Sequence, residues 1–136
     1  MIEIETRAEV SCAIGPLAAR LVWACGRLGV ERASLGLMVV GPDEIAGING
    51  RHRGRPEPTD VLAFPLDGPE AIDGWPEDGP PPELGDIVIC PEAAEEPLAT
   101  LVVHGLLHLL GYDHEVDGGE MLALQDELVA AAPPAT

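Results

Sequence analysis

Apolar and polar side chains alternate through Ile2-Glu3-Ile4-Glu5-Thr6, a period of two that predicts a strand with one wet face. The period then lengthens. Leu17, Leu21, Val22, Ala24, Cys25 and Leu28 recur at helical spacing, with Pro16 early and Gly29 just beyond, so residues 16–28 read as an amphipathic helix. Trp23 falls on that helix, where core or boundary packing is its default role. Leu35 to Val40 is a strand closed by Gly41-Pro42, and Asp43 starts a short helix that weakens at Asn49-Gly50. Asn49 reads as a cap for it. A polar loop, 51–58, precedes a strand at 59–64 ended by Pro65. Residues 66–83 are dense in Pro and Gly and predict a surface loop or hairpin excursion, with Trp75 packed down rather than free to stack. Leu84 to Cys90 is another strand. A helix follows from about Pro97 and a last one spans 120–131, its apolar stripe drawn from Met121, Leu122, Leu124, Leu128 and Val129; residues 132–136 are a tail.

The order strand, helix, strand, helix, strand, strand, helix, helix predicts an α+β fold, a single domain over 1–136 with a mixed four-stranded sheet flanked by helices. At 136 residues and 46% apolar the chain can bury one substantial core. No apolar run approaches the roughly 20 residues that cross a bilayer, and the acidic start is unlike a signal peptide. Cys12, Cys25 and Cys90 are scattered and form no C-x-x-C pair, which fits a reduced cytoplasmic protein using them as small buried hydrophobes.

Charge complicates any nucleic-acid role. Seven arginines, no lysine and 24 acids give a formal charge of −17. Nucleic-acid binders ordinarily present a basic footprint. Here the basic cluster is Arg51, Arg53 and Arg55, which suits a few phosphates, weakly and with strong salt sensitivity. The acidic body suits a basic protein partner, or reflects only a generally acidic set of soluble proteins.

Chemistry concentrates in His104-Gly-Leu-Leu-His108-Leu-Leu-Gly111-Tyr-Asp-His114, which holds three of the four histidines. His104 and His108 are one helical turn apart, so both rings project from one face. Gly111 readily takes the left-handed conformation that ends a helix, and the returning chain brings His114 in as a third ligand. Three imidazoles with an open fourth position describe a catalytic zinc site in a cleft, although nickel, copper or iron(II) also accept such a set. The spacing is that of the metzincin peptidases except at Gly105, where those enzymes place their general-base glutamate. Peptide hydrolysis is thereby the weaker reading.

The run from Val103 to His114 resembles the signature of the YbeY family, bacterial metal-dependent endoribonucleases of ribosomal RNA maturation. Ile48-Asn49 through Arg53-Gly54 to Thr59-Asp60-Val61-Leu62-Ala63-Phe64-Pro65 is similar to a second family block, and Leu84 to Cys90 to a third. The chain departs from that pattern between Cys90 and His104. Only thirteen residues intervene, which predicts a tight turn near 92–96 and a cleft floor or sheet surface left more open.

The resemblance implies cleavage of single-stranded RNA in ribosomal RNA maturation and ribosome quality control, with a ribosomal protein as a further partner. His104, His108 and His114 would hold one zinc ion, which lowers the pKa of a water toward about 7 or acts as a Lewis acid. Arg53 would bind the scissile phosphate through its planar fork, with Arg51 and Arg55 as auxiliary contacts. Asp113 and Glu115 flank the third ligand and serve as base, as supports for His114, or merely face water. Asp86 reads as structural and His52 as a surface histidine. Two other readings stand beside this one: a metallopeptidase or other zinc hydrolase, and a non-catalytic ribosome-associated module with a structural metal.

Overall fold

The computed structural model describes residues 2–67 and 75–132. Along them run β1 (Ile2–Ala8), α1 (Ile14–Arg27), β2 (Ala33–Val39), α2 (Pro42–Arg53), β3 (Val61–Pro65), β4 (Glu83–Ile89), α3 (Leu98–Leu109) and α4 (Glu120–Ala131), the predicted order. The strands form one mixed sheet, β1-β2-β4-β3, in which β1, β2 and β4 are parallel and β3 runs antiparallel to β4. This is the α+β architecture that the pattern predicts.

Strand alternation decides what each face of the sheet carries. Leu35, Leu37, Val39, Ile87 and Ile89 pack with Leu21, Ala24 and Cys25 of α1 and with Leu101, Val102 and Leu106 of α3. Val88 and Cys90 point the other way and join Leu62 beneath Ile45 and Ile48 of α2. Helix α4 packs on α3 instead, its Met121 and Leu128 clustering with Val103 and Leu107.

Helix α3 is therefore enclosed. Leu101, Val102, Val103, Gly105, Leu106, Leu107 and Leu109 are all buried, as a helix apolar nearly all round must be. Each fully buried leucine contributes about 1.5–3 kcal/mol, so moving this helix is costly and it makes a rigid platform for a site. Beyond its first turn, what remains open on it is the stripe bearing His104 and His108, both half-buried.

Several expectations need correction. Helix α2 does not stop at Gly50 but continues to Arg53 and ends at Gly54, whose φ of 70° is left-handed. Gly50 serves a close approach instead: a Cβ there would stand 3.1 Å from the Pro56 side chain. Arg51, His52 and Arg53 thus occupy the last helical turn rather than a loop. Asn49 is no terminal cap. It is buried within α2, and its Nδ2 donates to the Glu57 carbonyl at 3.0 Å, tying down the segment after the helix. On α4 the inward face is Met121, Gln125 and Leu128, whereas Leu122 is exposed.

The Pro/Gly-rich excursion joins the antiparallel pair β3 and β4, as a hairpin excursion should. Its neck is closed by Leu66 N–H to Leu84 O and by Glu83 N–H to the Asp67 carboxylate. The Arg32 guanidinium donates to the carbonyls of Pro76 and Gly79, and the half-buried Trp75 donates its indole N–H to Pro80 O at 3.3 Å. Residues 68–74 of that excursion, and 133–136 of the tail, lie outside the described residues. The short approach to α3 is a 3-10 turn at Pro91–Ala93, and it uncovers no sheet surface on the α3 side, where Ile87 and Ile89 stay fully buried. Cys25 and Cys90 are buried as predicted, Cys12 is only half-buried, and burial pushes the Cys25 thiol up to about 11.

Candidate functional site

The helical pair comes first. One turn of α3 separates His104 from His108, and their Nε2 atoms face each other at 3.2 Å. Two nitrogens bound tetrahedrally at about 2.0–2.1 Å from one zinc ion stand roughly 3.3 Å apart, so this pair already has the separation a shared cation requires.

The third ring arrives by a turn. After Leu109 the chain closes α3 with Gly111 N–H to His108 O and Tyr112 N–H to Leu107 O, a pairing that needs a left-handed residue at Gly111, where φ is 97°. Asp113 then organises the reversal. Its carboxylate accepts the Glu115 N–H at 3.0 Å, and its carbonyl accepts the N–H groups of Val116 and Asp117. His114 is carried inward on this turn. The three ring centroids lie 4.8, 5.1 and 5.4 Å apart, and one nitrogen from each ring lies within 4.8 Å of the others. Three half-buried, converging imidazoles are a donor set that fits a divalent transition metal.

Burial and the neighbouring His104 and His114 lower the His108 pKa, opposed by Asp113 and by a hydrogen bond that the ring donates to the Tyr112 backbone. A neutral ring with a free lone pair is the form a metal ligand requires.

These rings open onto a cleft of about 430 Å³, walled by Arg53, Asp60, Val61, Ala63, Pro65, Tyr112, Asp113 and Glu115 as well as the histidines. Of the three arginines, Arg53 is the one that lines it. Arg51 and Arg55 are exposed and form no part of that wall; the Arg51 guanidinium lies back along α2 beside Gly47. His52 is exposed as predicted and stands 4.8 Å from the Phe64 ring. Asp86 faces away from the histidines: it shares the face of β4 that bears Val88, opposite Ile87, and lies over Gly36.

Gly105 acquires a physical reason. A Cβ at this position would stand 2.8 Å from Cγ2 of Ile87, so the glycine lets α3 lie directly on β4. A glutamate there would collide with the sheet before it could serve as a base.

Three residues join the site that the sequence alone does not single out. Asp60 and Tyr112 line the cleft; both fall inside family-like blocks, with no role of their own marked there. Gln125, only 6% exposed, reaches from α4 to His104, where Nδ1–H donates to its Oε1 at 2.7 Å. Gln125 does leave a signal, as the polar member of the Met121, Gln125, Leu128 stripe at helical spacing.

The family model for Endoribonuclease YbeY matches residues 17–132. A protein named Endoribonuclease YbeY from Nocardioides is 39% identical over 85% of this chain and 90% of its own length. Those of Nocardia farcinica and Salinispora tropica are 39% and 41% identical, over 94% and 79% of this chain and 78% and 80% of their own. A Thermotoga maritima protein solved in solution superposes with a TM-score of 0.57 at 28% identity, over 95% of this chain and 87% of that one. With the His104–His114 block, the Arg53 segment and β4 all inside the matched span, the chain belongs to the YbeY endoribonuclease family.

Proposed function

We propose that this protein is a zinc-dependent endoribonuclease acting on single-stranded RNA, in ribosomal RNA maturation and ribosome quality control. The observation that carries the reading is the convergence of three histidine nitrogens on a cleft whose wall includes Arg53. Its relatives bear the endoribonuclease name, which supports RNA as the substrate class.

His104, His108 and His114 would hold the ion, which when bound supplies a Lewis acid and makes a neighbouring water more acidic. The work of the chain's own residues is separate. Arg53 presents a planar fork to two phosphate oxygens, where negative charge grows as the phosphorus is attacked. It is both the substrate-binding and, with His114, the catalytic assignment. Arg51 and Arg55, outside the wall, extend the positive field along the approach. Asp60, Asp113 and Glu115 place carboxylates around the cleft, able to accept a proton or to hold a water by hydrogen bonds. The enclosed α3 keeps His104 and His108 in place while substrate enters.

The acidic body shapes recognition. With −17 overall, long RNA is repelled except near the arginines, so binding to naked RNA is weak and steeply salt-dependent. A basic protein on the ribosome, presented together with the RNA, would supply the missing attraction. Among the described residues no helix is long and apolar enough to cross a membrane, and the buried cysteines suit the cytoplasm.

The experiment incubates the zinc-loaded protein with single-stranded RNA, duplex RNA and casein, with and without chelator. Cleavage confined to single-stranded RNA and abolished by chelator is expected. RNA left intact in every lane would sink the nuclease reading, and casein cleavage would restore the peptidase despite the contact at Gly105.

A further inference from the structure

We propose that Gln125 is a positioning residue for the candidate metal centre, its amide oxygen holding His104 in the tautomer that leaves Nε2 free to bind. The inference rests on the reading of the three histidines as one site.

An imidazole can give only one lone pair to a cation, and the position of its single proton decides which nitrogen that is. On His104, Nε2 faces His108 and the centre while Nδ1 faces α4. The Gln125 Oε1 at 2.7 Å has lone pairs and no proton, so it accepts Nδ1–H and leaves Nε2 unprotonated. The contact is shielded, because Gln125 is one of two buried polar residues in the described core. Shielding strengthens a satisfied hydrogen bond and penalises a missing one.

Met121 and Leu128, on either side of Gln125 along the inward stripe, pack into α3 and fix the angle at which the amide is presented. Asp117 starts the helix, its two carboxylate oxygens accepting Gly119 N–H at 2.8 Å and Met121 N–H at 2.9 Å. The chain thus leaves α3 at Gly111, delivers His114, and returns through α4 to brace the first ring. The acceptor is neutral, and it orients His104 without adding another negative charge to an acidic chain. Partners of this kind commonly change metal affinity by about 10–100-fold when removed.

The test uses the whole chain and two substitutions. Gln125→Met keeps the length and apolar packing but removes the acceptor; Gln125→Glu keeps an acceptor. Zinc affinity is measured by chelator competition, with thermal melting of the metal-free proteins alongside. The tautomer of His104 is read from its imidazole nitrogen shifts in the metal-free wild type at mildly alkaline pH. Expected are a proton on Nδ1 in the wild type, a loss of affinity of about 10–100-fold in Gln125→Met, and affinity at or above wild type in Gln125→Glu. A proton on Nε2 in the wild type, or undiminished zinc affinity in a folded Gln125→Met, overturns the inference and leaves the metal site standing. A wild type that binds no zinc overturns both. If Gln125→Met does not fold, the wild-type tautomer and Gln125→Glu decide: a Glu variant weakened by about 10-fold or more also overturns it.

Discussion

His104 and His108 stand on a helix that the core encloses, whereas His114 stands on a turn held by hydrogen bonds to Asp113. The difference lies in what would have to give for a ring to move. Displacing the helical pair means shifting α3 against β4, α1 and α4 together, disturbing leucines worth about 1.5–3 kcal/mol each. Displacing His114 means reopening a few backbone hydrogen bonds near the surface, each worth about 0.5–1.5 kcal/mol net. Two of the three candidate ligands are thus set by the packed core, and the third by a turn that is cheaper to open.

Breaking the rigid half should have the largest effect. His108→Ala is expected to lower zinc affinity by more than the roughly 100-fold typical of a supporting residue, without unfolding the protein; metal content and circular dichroism of the purified variant check both parts. Next comes Arg53→Ala, which leaves metal content intact and lowers RNA cleavage by about 10²–10³, as loss of one charge-stabilising donor does. Arg51→Ala and Arg55→Ala act much less and only at low salt, in the same assay repeated over a salt series. Two glycines then separate the halves. Gly105→Ala drives a methyl into Ile87 and should destabilise by about 1–3 kcal/mol in urea unfolding, weakening zinc binding through the helical pair. Gly111→Ala forces a side chain into the left-handed region at about 1–2 kcal/mol and should leave the His104 imidazole shifts unchanged while loosening His114.

Acid gives the smallest effect and the sharpest comparison. The folded pKa of His108 lies below its ordinary value near 6.5, chiefly through burial and then through its two histidine neighbours. The unfolded chain therefore binds a proton first as pH falls. The contribution to stability is present above about pH 6.5 and is lost as pH drops through the lower folded value. Urea midpoints of the metal-free protein measured across that range should fall on acidification, and His108→Ala should flatten the slope.

Much of this is legible in the sequence. The period-two pattern places β1 and the period-3.6 pattern places α1 and α4, because a half-buried sheet and a helix on a core each impose their period on the residues they bury, while apolar runs and Pro and Gly punctuation place the rest. His104, His108 and Gly111 also read correctly, since helix pitch and the left-handed stop are local geometry. Gly50 and Gly54 show where local reading fails. Both residues weaken a helix, and only the approach of Pro56 to the first and the positive φ of the second distinguish a packing glycine from a terminating one.

The order of elements and the pairing of His104 with His108 follow from the residues alone, because each depends on neighbours within a turn or two of chain. Three outcomes needed the packed molecule: that Arg53 and not Arg51 or Arg55 walls the cleft, that Asp86 faces away, and that Gln125 touches His104 across 21 positions. They depend on where one element lies against another, and that is set by the packing of the whole core around α3.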